Sequence, residues 1–198
     1  MVVISMNDID KLIDNSGLIT TKTIVRNNGS KADYYKYLKS NDFEMISRGI
    51  YASKDAWIDP LMIAHMKCPN AVLSHDVALH YHGLIDREPM QPTLTIYSGY
   101  NASRLKKYGY KVFFVKKELL DIGKTEVVDF DGNSVPMYDL ERTICDLVRN
   151  RSSFEIQDFN SALKTYSRSQ NKNLTLLFEY AKLLRVEKLL RSYMEILL

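Results

Sequence analysis

Three of the chain's four histidines, His75, His80 and His82, fall within the stretch VLSHDVALHYHGL, residues 72–84, beside Asp76. Imidazoles and a carboxylate at this density are the raw material of a zinc site or of general acid–base chemistry. Spacing decides against a metal. Within a segment, 72–82, that reads as helical, Ser74 is a natural cap for a helix over 75–82 ended by Gly83, which places His75 and His82 on one face but about 10 Å apart at 1.5 Å per residue. Metal–ligand bonds are about 2 Å long. His80 points away from both, and Asp76 with His80 is the one i,i+4 pair, usually a plain side-chain contact. The zinc-protease pattern His-Glu-x-x-His is absent. Val77, Ala78, Leu79, Tyr81 and Leu84 mark the stretch as a core helix.

Other catalytic templates are missing too. The chain has no Gly-x-x-x-x-Gly-Lys-Ser/Thr phosphate loop, no Gly-x-Gly-x-x-Gly and no Gly-x-Ser-x-Gly elbow. Glu126, Asp129 and Asp131 flank a hairpin, with no Glu-x-Lys following to complete a nuclease-type metal site. In LERTICDLVRN, residues 140–150, a helix capped by Asp139 aligns Arg142 with Asp146 and Arg149 and turns Leu140, Ile144, Leu147 and Val148 inward. Such a ladder is usually structural. The chain is therefore expected to be no enzyme, with no metal and no cofactor. Cys68 and Cys145 fit no CxxC spacing and suit a reducing compartment. MVVISMNDID lacks a basic n-region, and no window reaches the ~18 apolar residues of a membrane span. The expectation is a cytoplasmic protein with no membrane partner.

The elements that carry these residues are ordinary for 198 residues that are 45% hydrophobic and 26% charged. Net charge is +3, unevenly spread: +1 over residues 1–52 (seven basic, six acidic), −2 over 53–146 (eleven, thirteen) and +4 over 147–198 (nine, five). Residues 20–39 hold Lys22, Arg26, Lys31, Lys36 and Lys39 against Asp33 alone. Residues 6–14 read as a short helix with Ile9, Leu12 and Ile13 inward. TTKTIVRNNGS gives a second, capped by Thr20 or Thr21, with Ile24 and Val25 buried. SKADYYKYLKSND gives a third, capped by Ser30, with Ala32, Tyr35 and Leu38 inward and Lys31, Tyr34 and Tyr37 outward. FEMISRGIYAS is a hairpin turning at Arg48-Gly49.

Three helices and a hairpin are the layout of a winged helix-turn-helix, in which the third helix enters the major groove. That predicts a double-stranded DNA contact surface of Thr20, Thr21, Lys22, Arg26, Ser30, Lys31, Tyr34, Lys36, Lys39 and Arg48, with the lysines neutralising phosphates. Residues 53–198 read as an α+β domain. Helices lie at 59–67 and 72–82, and strands at 93–98, 111–116, 125–130 and 133–138. The last two strands join at Asp131-Gly132, and Pro136 marks an edge or a strand end. Helices follow at 139–150, 155–168 and 173–196. The expected class is α+β: a winged helix over 1–52, then an antiparallel sheet covered by helices, with an all-helical tail. Arg149, Arg168, Lys182 and Arg185 are candidates for a second basic surface.

Four motifs in order resemble the AbiEi-type antitoxins of type IV toxin–antitoxin, or abortive-infection, systems. GLITTKTIVRNNGS is similar to the family's Gly-x-Ile-Thr opening, and ISRGIYA to its hydrophobic-x-Arg-Gly-Val-Tyr wing. VLSHDVALHYHGL is similar to its Ser-x-x-x-Ala-Leu-x-x-x-Gly-Leu helix, and YDLERTICDLVR to its Glu-Arg-Thr-x-x-Asp helix. Asn41-Asp42 stands where the family often has Gly, and Lys31, Lys36 and Lys39 stand where its recognition helix usually carries arginines. The resemblance implies a winged helix that represses its own operon at inverted repeats, and a C-terminal domain that counteracts a nucleotidyltransferase-like toxin without requiring a stable complex. The alternatives from the residues alone are a winged-helix regulator whose second domain senses a ligand or dimerises, and an enzyme housed in the α+β domain.

Overall fold

The structure, a computed structural model, describes residues 6–14, 17–56, 59–128 and 134–197. The chain forms two compact units divided between Lys67 and Cys68. Both mix helix and sheet, so the α+β class holds. The change of texture at residue 52 marks the end of a hairpin, and the first unit continues through a further helix.

In the first unit a 3-10 segment, Met6–Leu12, precedes strand β1 (Leu18–Thr20) and helices α1 (Thr21–Arg26) and α2 (Lys31–Ser40). Strands β2 (Glu44–Ser47) and β3 (Ile50–Ala52) and helix α3 (Pro60–Lys67) follow. The strands form an antiparallel sheet in the order β1-β3-β2, and β2 turns into β3 at Arg48-Gly49 as expected. Gly49 supplies the left-handed φ of +80°. The Thr20 hydroxyl accepts from the Thr23 N–H at 3.0 Å and the Ser30 hydroxyl from the Asp33 N–H at 3.4 Å, capping α1 and α2. The Asp59 carboxylate likewise accepts from the Leu61 N–H at 2.7 Å, and Pro60 opens α3.

The core of this unit is Ile9, Ile19, Ile24, Tyr34, Tyr37 and Leu38, with Leu12, Ile13, Phe43 and Tyr51 packed against it. Two expectations are overturned here. Tyr34 and Tyr37 point inward, while Ala32 and Tyr35 are exposed. Steps of three residues drift about 60° per step around a helix, so 32-35-38 is not a face, whereas 34-37-38 mixes steps of three and four and is one. Val25 is exposed as well, since only Ile24 of α1 reaches the core.

The second unit contains β4 (Val72–Leu73), α4 (Asp76–Tyr81), β5 (Thr93–Tyr97), α5 (Ser103–Lys107), β6 (Lys111–Val115), β7 (Lys124–Val128) and β8 (Ser134–Tyr138), then helices α6 (Leu140–Arg149), α7 (Ile156–Arg168), α8 (Leu174–Leu183) and α9 (Glu187–Leu197). The sheet order is β6-β5-β4-β8-β7. The sheet is mixed rather than antiparallel: β5 pairs β6 in parallel and β4 pairs β8 in parallel. A parallel pair needs a long crossover, and residues 98–110 supply it around α5. Pro136 is not on an edge strand, because β8 lies between β4 and β7. It is tolerated there because β4 meets β8 only at Leu73↔Met137. Asp129, Asp131 and the Asp131-Gly132 turn lie outside the described residues. The expected helix 173–196 is two helices, broken at Leu184–Val186.

Helix α6 is the keystone of this unit. Every residue from Glu141 to Val148 is buried. The Glu141 carboxylate accepts from the Asn173 N–H at 2.8 Å and from the Tyr166 hydroxyl at 3.3 Å, holding α7 and the start of α8. Arg142 donates through Nε to Asp146 at 3.0 Å and through Nη1 to the Leu119 and Ile122 carbonyls at 2.8 and 2.6 Å. Its guanidinium stacks 4.0 Å over the Tyr138 ring. A Cβ on Gly123 would stand 2.4 Å from the Arg142 Cβ, so only glycine lets this loop close over the arginine. Behind α6, Ile144, Leu147 and Val148 join Leu79, Phe159, Leu163, Leu177 and Leu190 in the main core. Among the described residues no helix is long and apolar enough to cross a membrane.

Candidate nucleic-acid interface

The cations of the first unit stand on elements whose other face is core. On α1, Lys22, Val25 and Arg26 form an exposed stripe opposite Ile24. On α2 the buried Tyr34, Tyr37 and Leu38 define the inward direction. At 100° per residue Ala32, Lys36 and Lys39 then lie within roughly 35° of the opposite direction, with Lys31 on the flank about 115° away. Arg48 is exposed at the β2–β3 turn. None of Lys22, Arg26, Lys31, Lys36, Lys39 and Arg48 is in an ion pair among the described residues. Over residues 20–50 these six cations face three carboxylates, Asp33, Asp42 and Glu44. These six side chains are exposed and make no ion pair among the described residues, and Lys36 and Lys39 share one side of α2; exposed, unpaired cations of this kind can bind phosphate oxygens.

The remaining predicted contacts have other work. The Thr20 and Ser30 hydroxyls are engaged as caps. Thr21 is half-buried, and its backbone N–H donates to the Gly49 carbonyl at 2.9 Å, tying the start of α1 to the hairpin turn. Tyr34 is 0% exposed and cannot reach a ligand. Burial pushes its phenol well up, and the Thr21 hydroxyl beside it recovers part of that shift. Tyr37, pushed up to about 12 by burial and then by Asp10, donates to the Asp10 carboxylate and fastens α2 to the 3-10 segment. The aromatic on the outside is Tyr35, which sequence reasoning turned inward. It is 49% exposed, with its ring 5.5 Å from that of Tyr34 and 6.3 Å from that of Tyr51. The i, i+3, i+4 pattern of Tyr34, Tyr37 and Leu38 was the signal that could have found it.

In the second unit Arg149, Arg168, Lys182 and Arg185 are all exposed. They sit at the ends of α6, α7 and α8 and in the α8–α9 connection, and no contact gathers them into one site.

The histidine cluster dissolves into structure. Residues 72–82 are not one helix: β4 runs into Ser74 and His75, and α4 starts at Asp76. Ser74 is no cap. It is fully buried, its hydroxyl accepting from the Thr95 hydroxyl at 2.8 Å, while the Val77 N–H is satisfied by the Thr93 hydroxyl at 3.0 Å. His75 sits at the turn with φ +54° and ψ −122°, a left-handed backbone unusual for a side-chain-bearing residue. Its ring stacks 3.4 Å from that of Phe113. The Asn150 amide donates to Nε2 at 3.0 Å, which leaves the proton on Nδ1 to donate to the Ser74 hydroxyl at 2.9 Å. Burial, then Lys111, Arg142 and Arg149, hold His75 well below the usual histidine range. His82 Nε2 donates to the Tyr138 carbonyl at 2.8 Å, and His80 is exposed. Asp76 pairs with Lys111 at 3.2 Å rather than with His80. Glu126 is exposed and accepts from the Ser134 hydroxyl. Among the described residues no group of three or more His, Cys, Asp or Glu is placed to hold a metal ion.

No protein-family model matches the chain, and no curated protein matches it. Among solved structures its fold is similar to the crystal structure of the RV2827C protein from Mycobacterium tuberculosis. The TM-score is 0.58 at 12% identity, over 89% of this chain and 69% of that one. Identity this low speaks to the fold alone.

Proposed function

We propose that the chain is a DNA-binding antitoxin: a winged helix-turn-helix in the first unit that represses its own operon, and a second unit that counteracts a nucleotidyltransferase-like toxin without catalysis of its own. The observation that carries the DNA half is the unpaired cationic face of α2, turned away from Tyr34, Tyr37 and Leu38. In this reading α1 is the supporting helix, α2 the recognition helix, and the β2–β3 hairpin with Arg48 the wing. The antitoxin half is supported by the resemblance of the four motifs to the AbiEi-type family. The plain-regulator alternative shares the DNA half and lacks the second activity.

Binding is tested by titrating a fluorescent duplex from the region upstream of the gene at several salt concentrations. Each phosphate contact contributes about 0.9 to the slope of log affinity against log salt. Lys31→Ala with Lys39→Ala is expected to weaken binding and flatten that slope by close to two units. Unchanged affinity and slope would show that Lys31 and Lys39 make no phosphate contact. The antitoxin activity is tested separately by growth. An adjacent nucleotidyltransferase-like gene is expressed from an unrelated promoter, with the full-length double variant supplied in trans. Rescue without DNA binding supports the antitoxin, and failure with confirmed expression leaves the regulator.

A further inference from the structure

Base discrimination requires a side chain on the line from the helix axis into the groove, whereas phosphate contacts come from the flanks. On α2 that line passes between Ala32 and Lys36, the two residues nearest the direction opposite the buried Tyr34, Tyr37 and Leu38. Lys31 lies on the flank, and Lys39 stands in the last turn, farther along the helix than the N-terminal residues that reach base edges. Tyr35 leans the other way, its ring against Tyr34 and Tyr51. The reading line therefore presents one methyl group and one ammonium. It carries no amide to read adenine and no carboxylate to take the cytosine amino group.

Resting on the DNA-binding reading above, we propose that Lys36 reads a guanine edge and Ala32 accommodates a neighbouring thymine methyl, while Lys31 and Lys39 hold phosphates without reading sequence. An ammonium is complementary to the O6 and N7 acceptors of guanine, and an alanine methyl leaves room for and contacts the thymine C5-methyl. The ammonium of Lys36 is free to reach out, since it has no carboxylate partner among the described residues.

The test uses the full chain and a duplex recovered by selection from a randomised pool, with a scrambled duplex of equal length and composition as reference. Lys36→Ala is expected to lower the selected-to-scrambled affinity ratio about ten-fold, the discrimination carried by one specific base contact. Its own selection should lose the guanine at one position. Lys31→Ala and Lys39→Ala are expected to weaken both duplexes alike and leave the ratio within about two-fold, as sequence-independent phosphate contacts do. Equal weakening of both duplexes by Lys36→Ala, with the guanine retained on selection, overturns the assignment while DNA binding stands. Failure of the wild-type chain to bind either duplex overturns the DNA reading and this inference with it. Circular dichroism of each variant keeps loss of fold apart from loss of contact. The exposed position of Lys36 makes such loss unexpected.

Discussion

At the scale of single residues, the groups that look most reactive are the most firmly engaged. His75 spends both ring nitrogens on Ser74 and Asn150, and one face of its ring on Phe113. Protonation would remove the acceptor that Asn150 uses and place a charge in a site 1% exposed. The folded pKa is lowered from 6.5, so below pH 6.5 the unfolded chain takes up a proton that the folded chain refuses. Stability is thus fully present above that pH and falls as pH drops through it. Burial pushes the Asp139 and Asp146 carboxyls up, which acts in the opposite sense, so the comparison needs a variant. Urea unfolding at the two pH values should show that His75→Asn, whose side chain tolerates a positive φ, loses the acid-side decline that the wild type shows. An identical decline in both would mean the His75 ring does not titrate with unfolding. The helix stop at Gly83 was readable from the sequence. The strand-to-helix turn at His75 was not, because a strand as short as Val72–Leu73 leaves no alternation to detect.

At the scale of elements, helix ends show what a sequence can and cannot announce. Four helices end in the same way, with the residue after the cap in the left-handed region and paired 6→1 and 5→2 hydrogen bonds: α1 at Asn28, α4 at Gly83, α5 at Gly109 and α8 at Arg185. In α8, Val186 N–H donates to the Ala181 carbonyl at 2.9 Å and Arg185 N–H to that of Lys182 at 3.1 Å. Gly83 was legible as a stop because glycine relieves the strain, and Asn28 is of a type that tolerates it. Arg185 carries a Cβ into that region, and the apolar spacing runs on past it, so one long helix was the natural reading. Replacing Arg185 with glycine should therefore stabilise the second unit by about 0.5–1 kcal/mol, the relief of the Cβ clash outweighing the entropy that glycine adds to the unfolded chain. A rise in the unfolding midpoint at unchanged denaturant slope checks it, and a fall would show that the Arg185 side chain contributes more than its backbone costs. Arg142, Asp146 and Arg149 were read as a charge ladder along one face; Arg142 does pair with Asp146 at 3.0 Å, but the pair is fully buried and Arg142 also reaches the Leu119 and Ile122 carbonyls, while Arg149 stands exposed. Solvent exposure, on which the small value of surface pairs depends, cannot be seen in a one-dimensional pattern.

At the scale of the molecule, the core around Ile24, Tyr34 and Leu38 lies within one compact unit, and the main core around Ile144, Phe159 and Leu177, with a smaller cluster around Val72, Val115 and Tyr138, lies within the other. Separate cores predict separable unfolding. Phe159→Ala should cost about 3–5 kcal/mol in one denaturation step and leave the step reported by the first-unit tyrosines in place. A single shifted transition would show the two cores to be one cooperative system. The class, the hairpin and the helical tail were legible because their signals are local: caps, a tight turn and amphipathic spacing. The mixed strand order was not, since pairing between β4 and β8 joins residues far apart in sequence through a single register pair. One small bond has a reach beyond its size. The Thr21 amide donates to the Gly49 carbonyl at 2.9 Å and ties the hairpin turn to the start of the first helix. In the DNA-binding reading proposed above, that bond holds the backbone of α1 and the wing in register before contact, so only the long cationic side chains are left to be ordered. Affinity gained in this way appears as slow release rather than fast capture.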